Sequence, residues 1–154
     1  MTDMNRIPLL ALSFVILAAP AAAEQDERKI RMKDLPTTVR DAFEKQFPQA
    51  RVSGVSEEKE SDGIVYEIEC RWRGRKHDVT FKPDGSLASV EETIPVEEVP
   101  APVMTALKNQ FPSARIKKAE KVTESGTVAY EFELKKAAKK EVKFSPDGKL
   151  LEAE

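Results

Sequence analysis

Most of this chain is written twice. Pro36, Ala42, Gln46, Phe47, Pro48, Ala50 and Arg51 recur 64 residues later as Pro100, Ala106, Gln110, Phe111, Pro112, Ala114 and Arg115. Tyr66, Glu67 and Glu69 recur at the same offset as Tyr130, Glu131 and Glu133. The offset then drops to 63, and Val79, Phe81, Pro83, Asp84, Gly85 and Leu87 are matched by Val142, Phe144, Pro146, Asp147, Gly148 and Leu150. A repeat of this length is one supersecondary unit stated twice. Aromatic, small, proline and glycine residues dominate the matches, and these build cores and turns. The repetition therefore constrains architecture far more tightly than chemistry.

Each unit reads as a helix followed by strands. Leu35-Pro36 and Val99-Pro100 open the units, and proline suits a first helical position because its missing N–H would have no partner there. Leu35, Val39, Phe43 and Phe47 recur every four residues and, with Ala42, form one apolar stripe, which Val99, Val103, Leu107 and Phe111 repeat. Pro48 and Pro112 end the helices, since the residue before a proline is pushed out of the helical region. Beyond them hydrophobicity alternates with period two. Tyr66, Ile68, Cys70 and Trp72 oppose Glu67, Glu69, Arg71 and Arg73, and His77, Val79 and Phe81 oppose Asp78, Thr80 and Lys82. In the second copy Tyr130, Phe132 and Leu134 oppose Glu131, Glu133 and Lys135. Such alternation marks strands covered on one face only. Pro83-Asp84-Gly85 and Pro146-Asp147-Gly148 read as turns, with proline presetting φ and glycine accepting positive φ. Weaker strands are expected over 52–58 and 116–122.

The fold expected is α+β, a tandem repeat of one helix followed by a four-stranded antiparallel sheet, with the helix packed on one sheet face. The units span 34–94 and 99–154, joined by a linker over 95–98 and preceded by a flexible segment over 24–33. The other sheet face should stay open to water, and two twisted sheets in tandem make a wide concave platform. Such a surface suits a protein partner better than a small substrate, which prefers an apolar pocket.

Residues 1–23 read as an export signal peptide, with Arg6 as the positive start, Ile7 to Ala19 as an apolar run and Ala21-Ala22-Ala23 as the cleavage site. The run is shorter than the ~20 residues of a membrane span, so no stable membrane insertion is expected after cleavage. A bacterial periplasmic or secreted location follows. The formal charge of −2, from 25 basic and 27 acidic residues, provides no field that would draw the chain to nucleic acid. Cys70 is the only cysteine, so no intramolecular disulfide can form. Its counterpart in the second copy is Leu134, which marks a core position.

Enzymatic machinery is thin, and no catalytic residue, metal or cofactor is expected. His77 is the sole histidine, is in phase with Val79 and Phe81, and is replaced by Lys140 in the second copy. A Cys70–His77 dyad could form across a hairpin, but neither member recurs and no third residue orients it. Carboxylates gather at Glu57, Glu58, Glu60 and Asp62, which read as a hairpin tip. A second group, Glu91, Glu92, Glu97 and Glu98, reads as linker. Neither has the ligand spacing of a calcium loop, although a small-ligand or calcium-binding role remains the alternative to protein binding. Basic residues gather at Arg71, Arg73, Arg75 and Lys76 and at Lys135, Lys136, Lys139 and Lys140, which suggests an anionic partner. The surface expected to bind another exported protein comprises Glu67, Glu69, Arg71, Arg73 and Asp78 with Glu131, Glu133 and Lys135, anchored by Trp72.

Leu-Pro before an amphipathic helix, Phe-Pro after it, a Tyr-x-Ile/Phe strand and a Phe-x-Pro-Asp-Gly turn followed by leucine together resemble the bacterial periplasmic PepSY-like, beta-lactamase-inhibitor-like family. The resemblance covers nearly the whole chain beyond the signal. It implies a tandem α+β module whose sheet face binds another protein, and it implies modulation or inhibition of an enzyme, as beta-lactamase inhibitor and peptidase-restraining PepSY domains do. No inhibitory loop is matched, and this chain has one cysteine where that inhibitor has paired ones.

Overall fold

The computed structural model describes residues 26–61 and 63–154. The expected signal peptide and Asp62 lie outside the described residues. Nine strands run in the order β1 (Asp26–Lys29), β2 (Arg51–Glu60), β3 (Gly63–Trp72), β4 (Arg75–Phe81), β5 (Leu87–Thr93), β6 (Arg115–Glu124), β7 (Thr127–Lys135), β8 (Glu141–Phe144) and β9 (Leu150–Ala153). Helix α1 (Thr37–Gln46) lies between β1 and β2, and helix α2 (Ala101–Gln110) between β5 and β6.

The expectation of an α+β tandem of one helix and a four-stranded sheet is corrected here. All nine strands form a single antiparallel sheet in sequence order, so the protein is mostly β with two short helices among the described residues. The seam is the pairing of β5 with β6, from Ser89↔Glu124 to Thr93↔Glu120. Its cause is simple: two separate four-stranded sheets would each leave two edges of unpaired backbone N–H and C=O groups, and joining them removes one edge from each. Period-two alternation reports which face a residue occupies but not which edges meet. The stretch expected to be flexible contains β1, which pairs with β2 from Asp26↔Lys59 to Lys29↔Ser56 and covers that edge.

Both helices lie on the same face. Their stripes are buried: Val39, Phe43 and Phe47 pack with Ile68, Val79 and Phe81, while Val103 and Leu107 pack with Phe132, Val142 and Phe144. Each such fully buried large side chain contributes roughly 1.5–3 kcal/mol. Register ties the two clusters to one face, because Val79 opposes Val90 and Val90 opposes Thr123, two pleats from Ala119 of the second cluster. Pro36 and Pro100 sit one position earlier than expected, as helix N-caps with ψ of 140° and 142°.

The Pro-Asp-Gly turns clamp the helices to the sheet. Gly85 has φ +85°, and a Cβ there would lie 2.6 Å from the Thr38 carbonyl oxygen. Gly148, at φ +88°, approaches the Pro102 carbonyl oxygen equally closely. Thr38 Oγ1 donates to the Pro83 carbonyl at 2.7 Å. Glycine thus serves two purposes at each turn, the left-handed backbone and the close approach of a helix's first turn.

Candidate functional site

The helix-free face carries the polar half of every alternation. Cross-strand register places Glu58, Glu67, Asp78 and Glu91 in successive strands, followed by Glu120 and Glu131. The face is less open than the sequence suggests. Val65, Val122 and Ala129 on it are buried yet belong to neither helix-backed core, and Glu120 is only 5% exposed. The side chains of this face shield one another, as expected where a long twisted sheet curls.

Its centre straddles the seam. Asp78 on β4 faces Glu91 on β5, and with Glu120 on β6 they bring carboxylate oxygens within 4.8 Å of one another. Lys118 Nζ lies 2.8 Å from Glu120, and Thr93 Oγ1 donates to Glu120 at 3.3 Å. Lys76 reaches Asp78 at 3.3 Å, but Asp78 Oδ1 is buried without a hydrogen-bond partner. Lys143 on β8 holds Glu131 at 3.0 Å and Glu152 at 3.5 Å. Burial first, then the charges of Glu120, Glu131 and Asp78, push the Glu91 carboxyl up to about 7, against a smaller opposing effect of Lys143. Burial likewise raises Glu67 to about 8, reinforced by a hydrogen bond and charge from Glu58 and by Asp78 and Glu69. Burial alone would lower Lys118, but its bond to Glu120 holds it above the usual lysine value.

Two depressions open on this face. One, of about 260 Å³, is lined by Glu91, Glu131, Glu141, Lys143, Glu152 and Glu154, with Val142. The other, of about 310 Å³, is floored by Val122, Ala129 and Leu151 and rimmed by Glu124, Ser125, Thr127 and Lys143. Lys143 forms a wall of both. Asp78, Glu91 and Glu120 are the described residues placed to hold a cation.

Of the residues expected to form the binding surface, Glu67, Glu69, Arg71, Asp78, Glu131, Glu133 and Lys135 share the helix-free face by register. Trp72 does not. It packs on the other side against Phe47 and His77, at centroid distances of 5.1 and 5.7 Å, and its Nε1 donates to the Pro48 carbonyl at 3.1 Å. Arg73 sits at the β3–β4 turn with φ 50°, its guanidinium 4.2 Å from the Trp72 ring centroid. The first basic cluster is engaged internally: Arg75 bonds Glu92 at 2.7 Å and Glu98 at 2.6 Å, and Arg71 donates to the Gly74 carbonyl. Glu91 and Glu92, read from sequence as linker, belong to β5. Glu120 and Val122 were missed altogether. Their only signal was phase with Lys118 and Glu124 along β6.

Cys70 and His77 are register partners across β3 and β4. Burial, with the charge of Asp78, pushes the Cys70 thiol up to about 11, which keeps it protonated and poorly nucleophilic. His77 is buried, with Nδ1 3.2 Å from the Arg75 carbonyl oxygen. The pair packs the core edge.

Fold and face together define a helix-backed β-sheet protein whose distinctive chemistry is one acidic sheet surface. The family described as "Putative beta-lactamase-inhibitor-like, PepSY-like" matches residues 22–89 and 65–152, and the chain belongs to that family. Comparison with curated protein sequences finds no match. Among solved structures the chain is similar to a protein of Bacteroides eggerthii described as a "putative periplasmic" protein, with 21% identity and a TM-score of 0.66 over 78% of this chain and 88% of that one. It is also similar to a DUF2874 family protein of Bacteroides uniformis, with 20% identity, TM-score 0.65, and 77% and 88% covered. A BLIP-like protein of Bacteroides fragilis matches with 20% identity and TM-score 0.58 over 78% and 85% of the two chains. These likenesses concern the fold. Among the described residues, no helix is long and apolar enough to cross a membrane.

Proposed function

We propose that this is a non-enzymatic module of the bacterial periplasm that binds another exported protein through the helix-free sheet face and thereby modulates or inhibits an enzyme. The observation that carries the reading is the face itself: nine strands wide, backed by both helices on one side, and covered by no described secondary structure on the other. A sheet kept bare at that width while carrying depressions of about 260 and 310 Å³ offers the area of a protein interface. The family description favours an enzyme as the partner. The compartment agrees with the export signal read from sequence and with the description of the B. eggerthii relative.

A photo-crosslinking residue placed at Glu124, exposed on the face, tests this in the intact envelope, with Glu44 on the outer side of α1 as control. A discrete adduct from Glu124 and none from Glu44 is the expected result. Equal adducts, or none from either position, count against the face.

A second reading rests on the carboxylate oxygens of Asp78, Glu91 and Glu120 lying within 4.8 Å of one another: binding of a cation such as calcium. Lys118, 2.8 Å from Glu120, already supplies a positive charge there and weighs against it. Calorimetry with calcium chloride decides; absence of heat removes the reading.

A further inference from the structure

The sign of the partner's charge follows from how the ions on this face are used. The first of the basic clusters that suggested an anionic partner is spent internally, Arg75 on Glu92 and Glu98, Lys76 on Asp78, and Arg73 on the Trp72 ring, while the second, Lys135, Lys136, Lys139 and Lys140, lies at the end of β7 and the turn after it, away from the seam. What remains across the seam is excess acid. Among the described residues, Asp78, Glu91, Glu120 and Glu131 are faced by the cations Lys76, Lys118 and Lys143, and the adjoining cleft adds Glu141, Glu152 and Glu154. The Glu91 carboxylate has no ion-pair partner among the described residues. Next to this acid lies the apolar floor of Val122, Ala129 and Leu151, with Leu151 half exposed.

Resting on the docking reading above, we propose that the occupant of the helix-free face is a basic segment of another exported protein, presenting a lysine or arginine to Glu91 and Glu131 and an adjacent apolar side chain to the Val122–Ala129–Leu151 depression. The wall shared at Lys143 sets the two subsites side by side, so a basic and an apolar residue two positions apart suit them, because residues i and i+2 of an extended segment point the same way. An incoming cation also relieves the crowding of like charges that the sheet imposes. It favours ionised Glu91, whose neighbours are Asp78 from β4, Lys118 and Glu120 from β6, Glu131 from β7 and Lys143 from β8. Docking therefore releases protons near neutral pH.

The test uses the chain expressed whole and purified from the periplasmic fraction, with two fluorescein-labelled peptides: a lysine–serine–valine–serine repeat, which puts lysine and valine on one face of an extended segment, and its counterpart with glutamate for lysine. Anisotropy should show binding of the lysine peptide only. Affinity should fall about tenfold or more between low and physiological salt, and by a similar factor in the Glu91→Gln/Glu131→Gln double variant and in Leu151→Asp. The amide substitutions keep shape. Should a variant fold poorly, the wild-type protein still supplies the check, because the binding heat must vary with the buffer's own heat of ionisation as protons are released. Preference for the glutamate peptide, lost in Leu151→Asp, overturns the basic partner while leaving the docking face standing. Binding of calcium chloride alone, or self-association in sedimentation with neither peptide bound, overturns the proposal outright. The docking reading itself fails separately, through the Glu124 crosslink.

Discussion

Replacing Glu91 by glutamine should stabilise the protein, and only above mildly acidic pH. The carboxyl is held at about 7 instead of 4.5, first by burial and then by Glu120, Glu131 and Asp78. The sign follows from proton linkage. Between these two values the folded chain binds the proton that the unfolded chain has released, so stability falls as pH rises through the window and the loss is complete above about 7. At about 1.4 kcal/mol for each tenfold change in proton affinity, the penalty is at most roughly 3 kcal/mol. Glu91 is partly open to water, and screening reduces this to about 1–2 kcal/mol. Glutamine has the shape of the protonated acid and lacks the charge. Urea unfolding of both proteins should therefore give equal stability near pH 4 and a variant more stable by about 1–2 kcal/mol near pH 8. An equal difference at both pH values, or a variant less stable at pH 8, would refute the view that crowded charge on this face strains the fold.

Other expectations concern the fold and its frame. Gly85→Ala should cost about 2–3 kcal/mol in urea unfolding, because it combines a positive φ with a Cβ 2.6 Å from the Thr38 carbonyl oxygen; a cost below 0.5 kcal/mol on that scale would show the clamp to be slack. The Cys70 thiol should react with a disulfide reagent only as fast as the protein unfolds, given its burial and its value of about 11; rapid labelling of the native protein would contradict its placement. Trp72→Ala should destabilise by about 3 kcal/mol through lost contacts with Phe47 and His77, while leaving capture at the Glu124 crosslink intact. A matching loss of crosslinking without loss of stability would return Trp72 to the interface.

Which residues face which way was readable from alternation alone, down to Ile68, Val79, Phe132 and Val142 in the core and Glu67, Asp78 and Glu131 opposite them. The helical stripes were equally plain because spacing of four residues leaves one solution for Leu35, Val39, Phe43 and Phe47. The joining of the sheets was not readable, since the β5–β6 ladder is made by backbone groups that every residue carries. The acidic centre was hidden for the same reason: Glu91 and Glu120 are 29 positions apart and meet only through that ladder. Trp72 was a different kind of miss. Its phase with Tyr66, Ile68 and Cys70 already assigned it to the helix side, and the general prominence of tryptophan at interfaces pulled it the wrong way. The engagement of the first basic cluster was not readable either, because composition counts charges without showing that Arg75 is shared between two glutamates.

The seam makes the two repeats unequal. Counting along the repeat, Asp78 and Glu91 reappear as Glu141 and Glu154, but beside β9, whose outer edge meets no other strand among the described residues, so no third acid is brought alongside. The crowded triad therefore belongs to neither repeat taken singly: Asp78 and Glu91 come from the first and Glu120 from the second, and only the junction between them sets three carboxylates together.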